Sequence, residues 1–271
     1  MIEKINGFSI IKFDKLCKYD IIEHGFSTRE GGVSSGIFAS MNLGFNRGDS
    51  YGNVMENYRI MGNALNMSVE NMVLSAQTHT TNLRIVTEDD KGKGLVKEKD
   101  YTDIDGLITN IPGIPLVTFY ADCIPLVFLD PVKKVIASSH SGWRGTVKRI
   151  GKITVDRMCD TFGCKAENII AAIGPGICKD CYEVSEDVAL EFMREFEKEG
   201  YGDIVFPGES SKYYIDLKRA NEVILISAGI KPENIDNEGI CTCCRKDLLF
   251  SHRASNGRRG NLAAFIMLKQ R

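Results

Sequence analysis

The chain has 271 residues, 34 Lys and Arg against 36 Asp and Glu, and a formal net charge of −2. At roughly 150 residues per domain that is one large domain or two small ones, long enough to bury a core without staples. The near-neutral balance argues against nucleic acid or an anionic membrane surface as the main partner. No stretch approaches the roughly 18 apolar residues of a membrane span, and the first 20 residues are too evenly charged for a signal peptide or presequence.

In chain order, residues 27–36 and 40–50 are rich in Gly, Ser and Asn and read as loops. The stretch Glu88 to Asp105, with seven acids and four lysines, reads as an exposed excursion. Residues 114–120, 124–129 and 135–139 are dense in β-branched and aromatic side chains, as strands are. Apolar spacing from Thr146 to Phe162, closed by Gly163, predicts a helix. Residues 168–173 return to strand. Ser185 to Lys198 reads as a helix with Ser185 as N-cap and Gly200 beyond its end, and Asp216 caps another running to Ala228. Strands and helices intermix, so the expected class is α/β: one domain over residues 1–271, a sandwich of mixed sheet flanked by helices.

Nine cysteines and four histidines are the most telling part of the composition. An odd count cannot pair completely within one chain, and without a secretory leader the thiols are expected reduced in the cytoplasm. Metal binding or thiol chemistry is therefore worth examining. His24, His79, His140 and His252 are too few imidazoles for a multicopper oxidase.

One pairing can be reasoned from register. Asp-Pro-Val-Lys-Lys between the second and third strand runs suits a tight reversal. A four-residue loop, Asp130 to Lys133, sets Leu129 opposite Lys134 and therefore Cys123 opposite His140. Opposed Cβ atoms lie roughly 4.5–5.5 Å apart. A thiol and an imidazole at that spacing can share a metal or form a thiolate–imidazolium pair. A free cysteine is more often simply a buried small hydrophobe. Both residues, however, sit at strand ends, and His140 opens the glycine-flanked turn Ser-Gly-Trp-Arg-Gly leading into a helix. His79, in Gln-Thr-His-Thr-Thr, is the candidate third ligand, although spacing alone does not join it to the other two.

The set Thr-Arg-Glu-Gly-Gly-Val-Ser, Asn-Leu-Gly, Gln-Thr-His, Ala-Asp-Cys, His-Ser-Gly-Trp-Arg-Gly, Gly-Pro-Gly-Ile with Cys-Tyr-Glu-Val, and Ser-His-Arg resembles the laccase-domain family, also called YfiH or FAMIN. The matches run from about Gly25 to the C-terminus. Members were long labelled polyphenol oxidases, and the family is now associated with purine nucleoside phosphorylase and adenosine deaminase activity. The resemblance implies a zinc site of two histidines and one cysteine, here His79, Cys123 and His140. It also implies an α/β sandwich distantly like toxin deamidases that use a Cys–His pair. Adenosine, inosine and 5′-methylthioadenosine are the implied substrates, with phosphate, in a monomer or small homo-oligomer.

Three protein ligands leave the fourth zinc position open, the mark of a catalytic site that activates water near neutral pH. Deamination at purine C6 belongs to that class and needs a proton shuttle. Asp122 and Glu183 lie within matched motifs and are the candidates, each alternatively readable as a solvated or capping carboxylate, with the two readings evenly balanced for Asp122. Phosphorolysis needs cations for phosphate. Arg47 and Arg144 are the leading candidates, with Arg29 and Arg59 weaker, since an arginine is commonly only a salt-bridge partner. Asn42 is a candidate for base or ribose, against an Asx turn.

Cys178-Lys-Asp-Cys181 and Cys241-Thr-Cys-Cys244 look like a structural zinc signature, but 59 residues separate the two pairs. The family often carries cysteine at Cys181, Cys241 and Cys244 without a second metal, so a second zinc is not expected. Asn261 stands where relatives usually carry Arg, which weakens a role for the tail. Two rival functions remain. One is a thiol hydrolase or deamidase with Cys123 as nucleophile and His140 as base, insensitive to chelation. The other is a non-enzymatic metal or redox binding protein that turns over no nucleoside.

Overall fold

The computed structural model describes residues 1–237 and 239–270. In chain order the strands are β1 Ile2–Ile5, β2 Phe8–Ile11, β3 Ile22–Ser27, β4 Val73–Leu74, β5 Leu83–Ile85, β6 Gly106–Thr109, β7 Leu116–Tyr120 and β8 Ile124–Asp130. They continue with β9 Val135–Ser141, β10 Ile170–Ile173, β11 Glu183–Ser185, β12 Val205–Pro207, β13 Lys212–Ile215, β14 Ile235–Asn237 and β15 Leu262–Leu268. The helices are α1 Tyr51–Ala64, α2 Trp143–Val147, α3 Ile150–Phe162, α4 Glu186–Glu195 and α5 Leu217–Ser227.

Two six-stranded mixed sheets, ordered β1-β2-β3-β15-β7-β4 and β14-β10-β8-β9-β6-β5, stack face to face. The α/β sandwich is therefore present, with its sheet layer doubled. Strand periodicity explains the stacking. In β8, Ile124, Leu126 and Phe128 point toward α3 and α5, while Val127 and Leu129 point into the seam between the sheets. In β15, Leu262, Ala264, Ile266 and Leu268 enter the seam, and Ala263, Phe265 and Met267 pack toward α1. Both faces are covered, so these strands are continuous apolar runs without polar alternation. A small third sheet, β11-β13-β12, leans with α4 on the outer helical layer.

Several expected boundaries shift for local reasons. The helix expected from Thr146 to Phe162 is two helices, because Arg149 adopts left-handed φ (56°) between α2 and α3. Gly163, also left-handed (φ 65°), closes α3 as expected. Asp216 caps α5 by accepting from the Arg219 N–H at 2.9 Å. Ser185 precedes α4 but makes no capping bond to its backbone. The α1 helix, which the sequence reading did not include, begins directly after the loop segment 40–50, whose last residue caps it: the Ser50 hydroxyl accepts from the Asn53 N–H at 3.1 Å.

Candidate functional site

The hairpin of β8 and β9 sets the site. Its loop is Pro131 to Lys134, not Asp130 to Lys133, because Asp130 still pairs with Val135. From that last strand position the Asp130 carboxylate accepts from the N–H groups of Val132 (2.8 Å) and Lys133 (2.9 Å), closing the turn. Pro125 therefore faces His140, and Cys123 lies just before β8, two residues off the expected pairing. Cys123 still reaches His140, because the position across from it is Gly142. A Cβ on Gly142 would lie 2.7 Å from His79 Cδ2 and 3.2 Å from Cys123 Sγ. Only glycine leaves room for the three side chains to converge.

His79 comes from the loop after β4, with left-handed φ (65°). Its ring meets that of His140 edge-on at 4.8 Å, and its Nε2 is 3.9 Å from Cys123 Sγ. The potential ligand atoms of His79, Cys123 and His140 all lie within 4.8 Å of one another. One N and one S ligand type at that spacing, with a glycine-shaped gap beside them, suits a zinc ion.

Asp105, fully buried before β6, was not singled out by sequence, yet it organises the site. Its carboxylate accepts from His140 Nδ1 (2.8 Å) and from the backbone N–H of Thr78 (3.0 Å), His79 (3.1 Å) and Thr80 (2.9 Å). One buried acid therefore orients one candidate ligand and holds the loop of another, leaving His140 Nε2 to face Cys123. The available signal was an acid abutting the apolar run of β6. Burial opposes ionisation of Asp105, but the His140 bond and the backbone donors bring it down to about 2. Burial likewise opposes charge on Cys123 and His140. Their mutual attraction and hydrogen bonds prevail, drawing the thiol to about 6 and the imidazole to about 9.

The three side chains open on a cleft of about 520 Å³, a size typical of small-molecule sites. Phe119 and Tyr101 contribute apolar wall, and Arg47, Arg259 and Asn261 contribute polar wall. The acidic stretch 88–105 is the largely exposed excursion expected, and it also serves the site. Lys99, Tyr101 and Asp103 from it line the cleft, and Asp90 is buried against Arg84 and Lys93.

Arg47 is exposed at the cleft and makes no ion pair among the described residues. Arg259 is only 8% exposed. Its Nε has no hydrogen-bond partner, while Nη1 donates to the Gly260 carbonyl (3.2 Å) and the Asn261 side chain. Burial, and then the charge of Arg47, pull Arg259 down to about 10, so it is still a cation at neutral pH. The tail thus contributes to the cleft after all, with its cation one residue before Gly260 rather than one after. Arg144 does not line the cleft; it is exposed and stacks over Trp143 at 4.3 Å. Arg29 is held by the Ala39 and Lys246 carbonyls, and Arg59 pairs with Glu56 on the surface.

Asn42 is fully buried and fully engaged. Its Oδ1 accepts from the N–H of Gly44 (3.0 Å), an Asx turn, and of Asn261 (2.9 Å). Its Nδ2 donates to Asp49 at 3.0 Å and the Gly44 carbonyl at 3.2 Å. It ties the Arg47 loop to the tail and has no group left for a nucleoside. Asp122 accepts from the Thr242 hydroxyl (2.6 Å) and the Arg253 N–H (2.7 Å), behind Cys123 and outside the cleft lining. Glu183 is exposed on β11, also away from the cleft, 3.4 Å from the Tyr214 hydroxyl.

The long separation in sequence does not keep the remaining cysteines apart. The Sγ atoms of Cys178, Cys181, Cys241 and Cys244 also lie within 4.8 Å of one another.

Residues 23–269 match the family described as multi-copper polyphenol oxidoreductase laccase. The chain belongs to this family. It is 34% identical over 250 residues to the purine nucleoside phosphorylase YlmD of Bacillus subtilis (strain 168), covering 91% of this chain and 88% of that one. It is 32% identical over 249 residues to the adenosine deaminase RL5 of an unknown prokaryotic organism, covering 90% and 94%. The crystal structure of the Bacillus licheniformis hypothetical protein YfiH superposes with a TM-score of 0.92 at 30% identity, over 98% of each chain. The family therefore includes proteins named for processing purine nucleosides. The multi-copper description does not fit the donors here. Among the described residues only two imidazoles, His79 and His140, line the cleft, while His24 is buried elsewhere, accepting from the Phe13 N–H at 3.0 Å. No helix among the described residues is long and apolar enough to cross a membrane.

Proposed function

We propose that this chain is a cytoplasmic, zinc-dependent purine nucleoside phosphorylase, a single domain over residues 1–271 acting as a monomer or small homo-oligomer. It takes adenosine, inosine and 5′-methylthioadenosine with phosphate, and deaminates adenosine as a second activity. The observation that carries the reading is the pairing of Arg259 with Arg47 on the cleft that His79, Cys123 and His140 enter. A buried guanidinium with an unpartnered Nε, beside a second cation, is costly unless an anion joins it. A phosphate dianion offers the oxygens that two guanidinium groups bind best.

His79, Cys123 and His140 would hold the zinc, with Asp105 orienting the His140 ring and holding the His79 loop. When bound, the ion supplies a Lewis acid and lowers the pKa of a coordinated water. Arg47 and Arg259 hold phosphate so that one of its oxygens meets the ribose C1′. The C1′–O bond forms as the C1′–N9 bond breaks, and the bonding pair leaves on the purine. Phe119 and Tyr101 offer the base an apolar wall and exclude water from that face. Asp122 acts through its neighbours: by tying Thr242 and Arg253 it positions the turn that carries Cys123. In this reading Arg144, Asn42 and Glu183 do not touch the nucleoside.

The test is product chromatography after incubation with inosine, with and without phosphate. Hypoxanthine and ribose 1-phosphate forming only with phosphate is the expected result; base release without phosphate makes the protein a hydrolase. Adenosine in the same assay should yield adenine with phosphate and inosine without it.

A second reading is favoured by the Cys123–His140–Asp105 line itself, which has the order of nucleophile, base and orienting acid. Chelation separates the two. Activity that survives metal removal and is lost to thiol alkylation belongs to the thiol hydrolase.

A further inference from the structure

We infer that Cys178, Cys181, Cys241 and Cys244 form a second metal centre, a closed four-thiolate zinc site that clamps two turns behind the cleft. It does not depend on the purine reading.

Two of the sulfur–sulfur distances fit a tetrahedral site. Zinc–sulfur bonds of about 2.3 Å place tetrahedral ligands about 3.8 Å apart. Cys178 Sγ and Cys244 Sγ are 3.9 Å apart, and Cys181 Sγ and Cys244 Sγ are 3.5 Å apart. Both distances are far from the roughly 2.05 Å of a disulfide. Each pair is a C-x-x-C on a tight turn, the first spanned by the 3-10 segment Lys179–Cys181. The turns are held side by side by an isolated parallel bridge between Gly176 and Cys241. There the Thr242 N–H donates to the Gly176 carbonyl at 3.2 Å, and the Gly176 N–H to that of Ile240 at 3.3 Å.

Two further features match an anionic sulfur cluster. Cys241 Sγ accepts from the backbone N–H of both Cys178 (3.2 Å) and Cys244 (3.4 Å), and such donors favour a thiolate over a thiol. Arg253 lies against the same turn, donating to the Cys181 carbonyl at 3.1 Å, so a cation stands near a centre of net negative charge. Packing alone is a poor account of the cluster: Cys241 is buried, Cys178 and Cys181 are half-buried, and Cys244 is exposed.

Four protein ligands leave no open position, so the role is structural. What it braces is next to the chemistry. The Ile177 N–H donates to the Asp122 carbonyl at 2.9 Å, and Thr242 and Arg253 hold the Asp122 carboxylate. Asp122, at φ 90°, is the turn residue that delivers Cys123. The centre therefore fixes the backbone from which the cleft's thiol projects.

The test starts with the wild-type protein purified under reducing conditions. Metal analysis should find two zinc ions per chain, one for each ligand group. His140→Ala should keep the four-thiolate ion, and the double variant Cys181→Ser/Cys244→Ser should keep the other, each reading a loss of one equivalent. If the double variant does not fold, alkylation of the wild-type protein decides. Peptide mapping should find Cys178, Cys181, Cys241 and Cys244 protected from iodoacetamide until a strong chelator is added. Equal labelling of the four with and without chelator overturns the proposal. So does recovery of any of them as a disulfide from the reduced preparation, or full zinc retention by a folded double variant.

Discussion

Among the described residues two clusters of metal-ligating side chains stand out, and they differ in ways that matter chemically. His79, Cys123 and His140 are three donors of two kinds, opening on a cleft of about 520 Å³ and oriented from behind by buried Asp105. Cys178, Cys181, Cys241 and Cys244 are four donors of one kind, on two tight turns, and none lines that cleft. Three ligands leave a coordination position for water or substrate; four saturate a tetrahedral ion. The same element in the two places would do different work, reactive in one and only cohesive in the other. The clusters are also joined, since the turns carrying the four thiols hold Asp122, and Asp122 precedes Cys123.

The comparison breaks most sharply at Cys123. Cys123→Ser should lower phosphorolysis by at least roughly 10³-fold, because a neutral hydroxyl is a poor zinc ligand and the ion contributes several kcal/mol at about 1.36 kcal/mol per decade. Metal analysis should show one equivalent lost and the four-thiolate ion kept. A covalent adduct trapped on wild-type Cys123 during turnover would instead make it a nucleophile.

Asp105→Asn comes next. Loss of the carboxylate that holds His140 Nδ1 and the His79 loop should weaken metal retention at the cleft by roughly 10–100-fold. Competition with a graded chelator measures it, and the four-thiolate ion serves as internal control. Unchanged retention at the cleft would reduce Asp105 to a loop tie.

Arg259→Met preserves much of the buried stem and removes the charge. Its KM for phosphate should rise about tenfold, in line with one lost charge-assisted hydrogen bond, with a smaller change in nucleoside KM. Equal changes in both would mean that Arg259 supports the cleft wall without contacting phosphate.

Arg144→Ala should change the phosphate KM by less than about twofold, since an exposed guanidinium outside the cleft contributes little. A large effect would bring Arg144 back as a phosphate ligand and move the anion site toward α2.

Parts of this were legible from residue order alone. The strands β7, β8, β9 and β10 are short, β-branched and bounded by turn residues, so local composition identifies them, and Gly163 and Asp216 mark helix ends by their backbone needs. β15, at the heart of the first sheet, lies at the end of the chain with partners more than 140 residues away in β7 and more than 230 away in β3. Nothing local shows such pairing. The hairpin register missed by two for a comparable reason: the Asp130 side chain closes the turn from inside the strand, and composition does not say which residue bears that bond.

For the cleft, motif likeness brought His79 to Cys123 and His140, and residue type explained why such a trio suits a metal. Charge counting could not tell that Arg144 faces solvent while Arg259 is buried beside Arg47, because arginines are alike until burial separates them. Asn42 shows the same limit, its amide consumed by Gly44, Asp49 and Asn261. Residue order by itself determined the α/β texture, the thiol-rich chemistry and the family. Tertiary structure alone decided which of those groups share a space, because desolvation, hydrogen bonding and ligand geometry act across distances that only folding closes.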